Sequence, residues 1–315
     1  MVLNEKRLFE FLILVLLVSM VGSGCSRVVI KAPVSRPAEV NLGKKNRVTI
    51  GSISGEGGKM VASYISDDLS RSDRIELISP QVNGTIKPSV LIEGDMTNSY
   101  QEDIEEQTKT CTRRVQRKDG SHYDEEYDCT EYRRVGYVSV RANFRVIDAE
   151  TGRLIVPKSA SCEKRDWSIY TRYSPPRINR HAMFSDCCRE VAWELAKTIS
   201  PYTELTPVVF YKDRSLPWLE HGIVRAEQGQ WDDAVAEFRE AVRVVELDRR
   251  TKPEVAAKAY WDLGVALGYS GEFFEAEIQL RIACSKDRHM ECNQAMNELL
   301  RLQREHERLK EQMGE

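Results

Sequence analysis

The clearest hydrophobic pattern lies in YVSVRANFRVIDA, residues 137–149. Val138, Val140, Ala142, Phe144 and Val146 alternate there with Ser139, Arg141, Asn143 and Arg145. Successive strand side chains point to opposite faces, so the alternation predicts a strand with one buried face, in a sheet covered on one side. RVTIGSI (47–53), RIELISP (74–80) and SVLIEGDM (89–96) read as further strands. RLIVPKSASC (153–162) returns antiparallel after the turn DAETG (148–152). Between them KMVASYISDDLSRS places Val61, Tyr64, Ile65 and Leu69 at helical spacing. SDCCREVAWELAKTISPY gives a second helix, with Val191, Leu195, Ala196 and Ile199 inward and Ser185 or Asp186 as its cap. Residues 47–205 therefore read as an α+β domain, an open sheet with helices mainly on one face.

A different pattern begins near residue 206. LPWLEHGIVRAEQGQWDDAVAEFREAV aligns with KAYWDLGVALGYSGEFFEAEIQLRIAC. Gly222 matches Gly264, Gly229 matches Gly271, Ala234 matches Ala276 and Ala241 matches Ala283, always at an offset of 42. Small residues let paired helices approach, and Trp218, Phe238, Tyr260 and Leu280 fill the gaps. The alignment resembles the tetratricopeptide repeat, with a period lengthened from about 34 residues by a longer loop in VELDRRTKPEVA. Residues 206–315 are thus expected to form an all-α helical-repeat domain. Trp261, just before Leu263 and Gly264, is the candidate partner contact in its groove, against the plainer reading that it packs between helices. ACSKDRHMEC resembles the Sel1-like cysteine-rich repeats, which implies a Cys284–Cys292 disulfide; two buried thiols are the alternative. CNQAMNELLRLQREHERLKEQM carries a narrow seam at Ala295, Leu299, Leu302, His306, Leu309 and Met313. It caps the array or, on the sharper reading, pairs with a second copy.

The polar segment TKTCTRRVQRKDGSHYDEEYDCTEYRR reads as a hairpin turning at Asp119-Gly120, within an excursion over residues 101–137. With Asp119–Ser121 as the loop, Cys111 faces Cys129, Lys109 faces Glu131 and Arg114 faces Glu126. One register satisfies a cysteine pair and two charge pairs, which predicts a protruding, disulfide-stapled hairpin. Unpaired cysteines in a mobile loop are the alternative.

The N-terminus sets the compartment. Lys6 and Arg7 precede an apolar run from Phe11 to Val21, then Gly22, Ser23, Gly24 and Cys25. This is the layout of a signal peptide over residues 1–24, too short in its apolar part to span a membrane. The ending resembles a bacterial lipobox, although Gly22 stands where that motif carries an aliphatic residue. The resemblance implies that Cys25 carries a lipid and, with Ser26 following it, that the protein sits on the periplasmic side of the outer membrane. Residues 25–46, with two prolines and no clear period, read as an extended tether. Export permits disulfides among the seven remaining cysteines; the pairing of Cys162, Cys187 and Cys188 is left open.

The net charge of −3 gives no argument for nucleic acid. GSISGEGGKM (51–60) has the strand–loop–helix setting of a phosphate-binding loop, but Ile53 and Met60 occupy the glycine and hydroxyl positions. The five histidines lie at no metal-ligand spacing, and no serine sits in a nucleophile elbow. No enzyme activity, metal or cofactor is expected. LIEGDMTN and VIDAETGRLI, within residues 47–203, resemble the periplasmic domain of curli-export (CsgG-type) and synthase-activating (LpoB-type) lipoproteins. The resemblance implies a non-enzymatic lipoprotein that binds envelope protein partners. Such a protein is an adaptor, a secretion-channel subunit or an activator of a peptidoglycan synthase. Membrane-spanning hairpins need an apolar outward face, and the excursion here is charged on both faces. The adaptor is the expectation, with self-association as a further option.

Overall fold

The computed structural model describes residues 27–72, 74–79, 87–170 and 175–314. Cys25 and the signal-peptide segment lie outside them. The described residues form two compact units, one of residues 38–201 and one of residues 27–37 with 202–314.

The first unit holds a five-stranded sheet in the order β3-β2-β4-β5-β6. Its strands are β2 (Arg47–Ser54), β3 (Glu76–Leu77), β4 (Val90–Gln116), β5 (His122–Asp148) and β6 (Leu154–Tyr170). β2 pairs parallel with β3 and β4, and β4, β5 and β6 pair antiparallel. The alternation in β5 works as its sequence requires: Val138, Val140, Ala142, Phe144 and Val146 are buried. They meet Val61, Ile65 and Leu69 of α1 (Gly58–Leu69) and Met183, Val191, Leu195 and Ile199 of α2 (Arg180–Ile199) in one core. Both helices therefore cover the same face. The helix α2 starts earlier than Ser185, because Asn179 supplies the cap, its side chain accepting from Ala182 N at 3.1 Å. In the turn after β5, Asp148 accepts from the N–H groups of Glu150 (3.0 Å) and Thr151 (3.2 Å) and pairs with Lys45. Lys45 above all holds its carboxyl down to about 2.

The glycine loop before α1 serves packing. A Cβ on Gly55 would lie 2.1 Å from Met96 O, and one on Gly58 would lie 2.0 Å from Ile53 O. Only glycine lets the chain enter the helix this close to its own sheet.

The second unit is not all-α, and residues 27–36 are not a tether. Arg27–Arg36 forms β1, paired antiparallel along its whole length with β7 (Tyr202–Tyr211). The boundary drawn at residue 205 therefore cuts through a strand. Around the ribbon stand α3 (Pro217–Glu227), α4 (Trp231–Leu247), α5 (Pro253–Ser270), α6 (Phe273–Lys286) and α7 (Cys292–Met313). Ile30, Ala32, Val208 and Phe210 share the helices' core.

The 42-residue offset survives as geometry. The face of Gly222 in α3 receives Phe238 of α4, and Gly264 in α5 receives Leu280 of α6. A Cβ at Gly264 would lie 2.8 Å from Leu280 Cγ and 3.0 Å from Leu280 N. Overpacking of this kind costs about 1–3 kcal/mol. Gly264→Ala is therefore expected to lower the melting temperature by several degrees. Gly120→Ala, at a hairpin tip, meets open space but must hold φ +85°, which strains any side chain, and is expected to loosen that tip and speed trypsin cleavage there.

Candidate interaction surfaces

β6 ends where Tyr170 pairs with Tyr132. Beyond that point, among the described residues, β4 and β5 run on as a two-stranded ribbon, from the pair Gln107–Glu131 to the pair Gln116–His122. At about 3.3 Å per residue this arm is roughly 30 Å long. Nearly all of its side chains are exposed. A lone two-stranded ribbon is marginal in water, so local devices must hold it. Cys111 and Cys129 are bonded, with Cα atoms 5.8 Å apart. Lys109 pairs with Glu131, and Arg113 Nε meets Glu125 at 2.7 Å. At the tip Gly120 takes φ +85°, its N–H donates to Arg117 O, and Asp119 accepts from Ser121 N (3.0 Å) and Oγ (2.6 Å).

The register differs from the sequence expectation by two residues. Cys111 stands opposite Tyr127, Lys109 opposite Cys129 and Arg114 opposite Asp124. The reason is the tip. Arg117 N donates to Ser121 O at 2.7 Å, so the three-residue turn is 118–120, one residue earlier than the expected 119–121. The disulfide and the Lys109–Glu131 pair are therefore diagonal contacts across the ladder.

The register gives the arm and the adjoining strands two distinct faces. Odd-numbered positions carry Arg113, Tyr123, Tyr127, Tyr137, Arg133, Trp167 and Arg165, on the sheet side opposite the helices. They interleave: Arg113 lies 5.2 Å from the Tyr127 ring, Arg133 6.0 Å from Trp167 and Arg165 5.4 Å from Tyr137. At the tip Arg117 lies 5.0 Å from the Tyr123 ring. Each such contact contributes about 0.5–1 kcal/mol at an exposed site, and together they hold large rings flat and open to solvent. Even-numbered positions carry Glu106, Asp124, Glu126 and Asp128 among the threonines 108, 110, 112 and 130. This surface presents recognition chemistry: rings, guanidinium groups and carboxylates on a stiff support.

The helical unit offers a second surface. A cavity of about 440 Å³ lies between β7, α5 and α7, with Trp261, Leu280, Leu299 and Leu302 among its apolar lining. At its edge Arg36, only 3% exposed, meets Glu204 Oε1 and Thr206 Oγ1 at 2.9 Å each, and also pairs with Glu305. Arg301 joins Glu305 (3.0 Å) to Glu298 (2.5 Å). Trp261 lines this cavity but is 3% exposed. Its Nε1 donates to Val209 O at 3.3 Å, and its ring meets Tyr211 edge-on at 5.7 Å. The groove contact expected of Trp261 is occupied by the chain's own strand. The neighbouring Asp262 accepts from Tyr211 N at 2.9 Å. The other carboxylate oxygen of this fully buried residue has no hydrogen-bond partner among the described residues.

The structure also bonds Cys284 to Cys292, and pairs Cys162 with Cys187, which sequence left open. Cys188 is the free cysteine among the described residues. It is buried, and burial pushes its thiol up to about 11. Among the described residues no group of three His, Cys, Asp or Glu side chains is placed to hold a metal. The ribbon was missed although its signal was present. Ile30, Ala32, Val34 and Arg36 alternate inward, as do Thr206, Val208 and Phe210. Pro33 and Pro207 disguised the pattern. Trp261 binding to Val209 O shows that the odd positions of β7 turn their backbone away from β1. Both prolines fall in that outward set, where no ladder N–H is lost.

Two outcomes follow. Burial raises the Asp262 carboxyl well above its ordinary value of 3.8, against the lesser pulls of Tyr211 N–H and Lys258. The native state thus holds this proton more tightly than the unfolded chain, and stability declines as pH rises above about 4. Asp262→Asn keeps the acceptor and removes the ionisation. It is expected to flatten the fall in melting temperature as pH rises above about 4. For the arm, Cys111→Ser removes a cross-link whose loop entropy is worth roughly 3 kcal/mol. Trypsin cleavage at Arg117 and Lys118 is expected to accelerate at least tenfold, with the melting of the remaining protein unchanged.

No protein-family model matches the chain, and no curated protein does. Solved structures overlap it loosely. A minor lipoprotein from Acinetobacter baumannii is 7% identical, with TM-score 0.26, over 49% of this chain and 91% of its own. The PelC dodecamer from Paraburkholderia phytofirmans is 14% identical, with TM-score 0.25, over 55% of this chain and 98% of its own.

Proposed function

We propose that this protein is a lipid-anchored, non-enzymatic adaptor on the periplasmic face of the outer membrane, which engages an envelope protein partner through the stapled arm. The observation that carries this reading is the arm itself. Residues 107–131 project as two strands, held by a disulfide, ion pairs and Arg–aromatic contacts, without a core of their own. Ordering that many residues has an entropic cost that the arm's few internal contacts barely offset. Pre-organisation of this kind lowers the cost of binding a partner. The exposed tyrosines and arginines are the side chains that dominate protein interfaces.

The anchor is read from the sequence, with lipid on Cys25. Among the described residues no helix is long and apolar enough to cross a membrane. The channel reading is disfavoured by the arm's composition, since neither face offers the continuous apolar band that lipid requires. The adaptor reading needs no cofactor and no nucleic acid.

The test is cross-linking in intact cells followed by affinity purification. One strain carries the full protein and a second replaces residues 105–133 with a short turn. Recovery of one envelope partner from the first and its loss from the second is the expected outcome. Equal recovery from both would overturn the role of the arm. Truncation after residue 205 is a poor control, because it removes most of β7 and leaves β1 without its partner.

A further inference from the structure

The anchor has no slack. An extended tether would let a lipidated protein float free of the membrane, but β1 begins at Arg27, two residues after Cys25. Arg27 pairs with Tyr211 in the ribbon, and its guanidinium meets Glu291 at 3.2 Å. Two residues span at most about 7 Å. From this we infer that one end of the helical unit docks directly on an anionic lipid surface, resting on the proposal that Cys25 is lipidated.

The surface around Arg27 fits that partner. Tyr211 leads into Lys212 and Arg214, and Glu291 closes the loop 287–291, which the Cys284–Cys292 bond ties down. Most carboxylates here already have a cation: Glu291 has Arg27, Asp213 has Lys258 (2.7 Å) and Glu220 has Lys212 (2.9 Å). Asp287 turns inward to its own loop, accepting from His289 N at 2.9 Å. Arg214, Lys286 and Arg288 are exposed. The end of the ribbon that carries the lipidated cysteine is therefore net basic, and phospholipid headgroups of negative charge complement it. The ribbon's opposite end, where Arg36 pairs with Tyr202, is where the chain leaves for residues 38–201 and returns. A flexible anchor would sample many orientations. This one fixes which end of the helical unit meets the membrane.

The experiment uses the full-length protein, purified with its lipid and placed in vesicles of phosphatidylethanolamine and phosphatidylglycerol. Photoreactive benzoylphenylalanine replaces Arg288 in one variant and Glu240, half-exposed on α4, in another. Mass spectrometry first reads the lipid on Cys25. Lipid cross-links are expected at position 288 and not at 240. Inserting fifteen Gly/Ser residues after Ser26 should cut the cross-link at 288 by about fivefold or more, because a linker of that length frees the unit. With the lipid present, absence of cross-links at 288, or indifference to the linker, overturns the inference and leaves the anchor standing. Absence of lipid on Cys25 removes the anchor reading, and this inference falls with it.

Discussion

The pairing of β1 with β7 is the constraint on which the rest of the structure depends. It joins residues 27–36 to residues 202–211 and so makes the α+β unit an insertion within the helical unit. Closing so long a loop costs little more entropy than closing one of half its length, and the ribbon recovers that cost by burying Ile30, Ala32, Val208 and Phe210 among the helices. The same ribbon decides what the helical groove can do. Its backbone takes the indole of Trp261 and the carboxylate of Asp262. The ribbon packs against α5 there, and an apolar cavity beside α7 stays open.

Where local pattern and burial agree, the sequence was readable. β5 alternates because one face is core and the other solvent, and the register of the sheet follows that alternation. The helix hairpins were legible because Gly222 and Gly264 can only serve as seats for Phe238 and Leu280. What stayed hidden was long-range or set by turn geometry. No local signal tells residue 30 that its partner is residue 208, and prolines argued against strands whose outer edges tolerate them. The two-residue slip in the arm came from the tip, where the Asp119 side chain and the positive φ of Gly120 centre the turn one residue earlier than the dipeptide alone announces. The cysteines at 111 and 129 were paired for the right chemistry in the wrong register. The Cys162–Cys187 bond joins β6 to α2, a contact that only the folded sheet creates.

These features give each part a physical task. The sheet with its two helices is a rigid base, and the arm extends β4 and β5 from it with stiffness borrowed from a disulfide and from rings stacked on guanidinium groups. The ribbon ties residues 27–36 into the helical unit, so that in the proposed reading attachment at Cys25 would act on a folded surface and not on a leash. An adaptor needs both properties, a fixed footing and a fixed reach. In the proposed reading, the lipid supplies the first and the arm the second.

Hydrogen exchange over residues 27–36 tests the account most directly. If β1 pairs with β7 as described, the amides of Val28, Ile30, Ala32, Val34 and Arg36 point into the ladder and will exchange slowly. Those of Val29, Lys31 and Ser35 will exchange faster, giving a two-residue alternation. Uniformly fast exchange across the segment would mean a tether after all. It would contradict the inserted architecture, the covered groove and the fixed footing together.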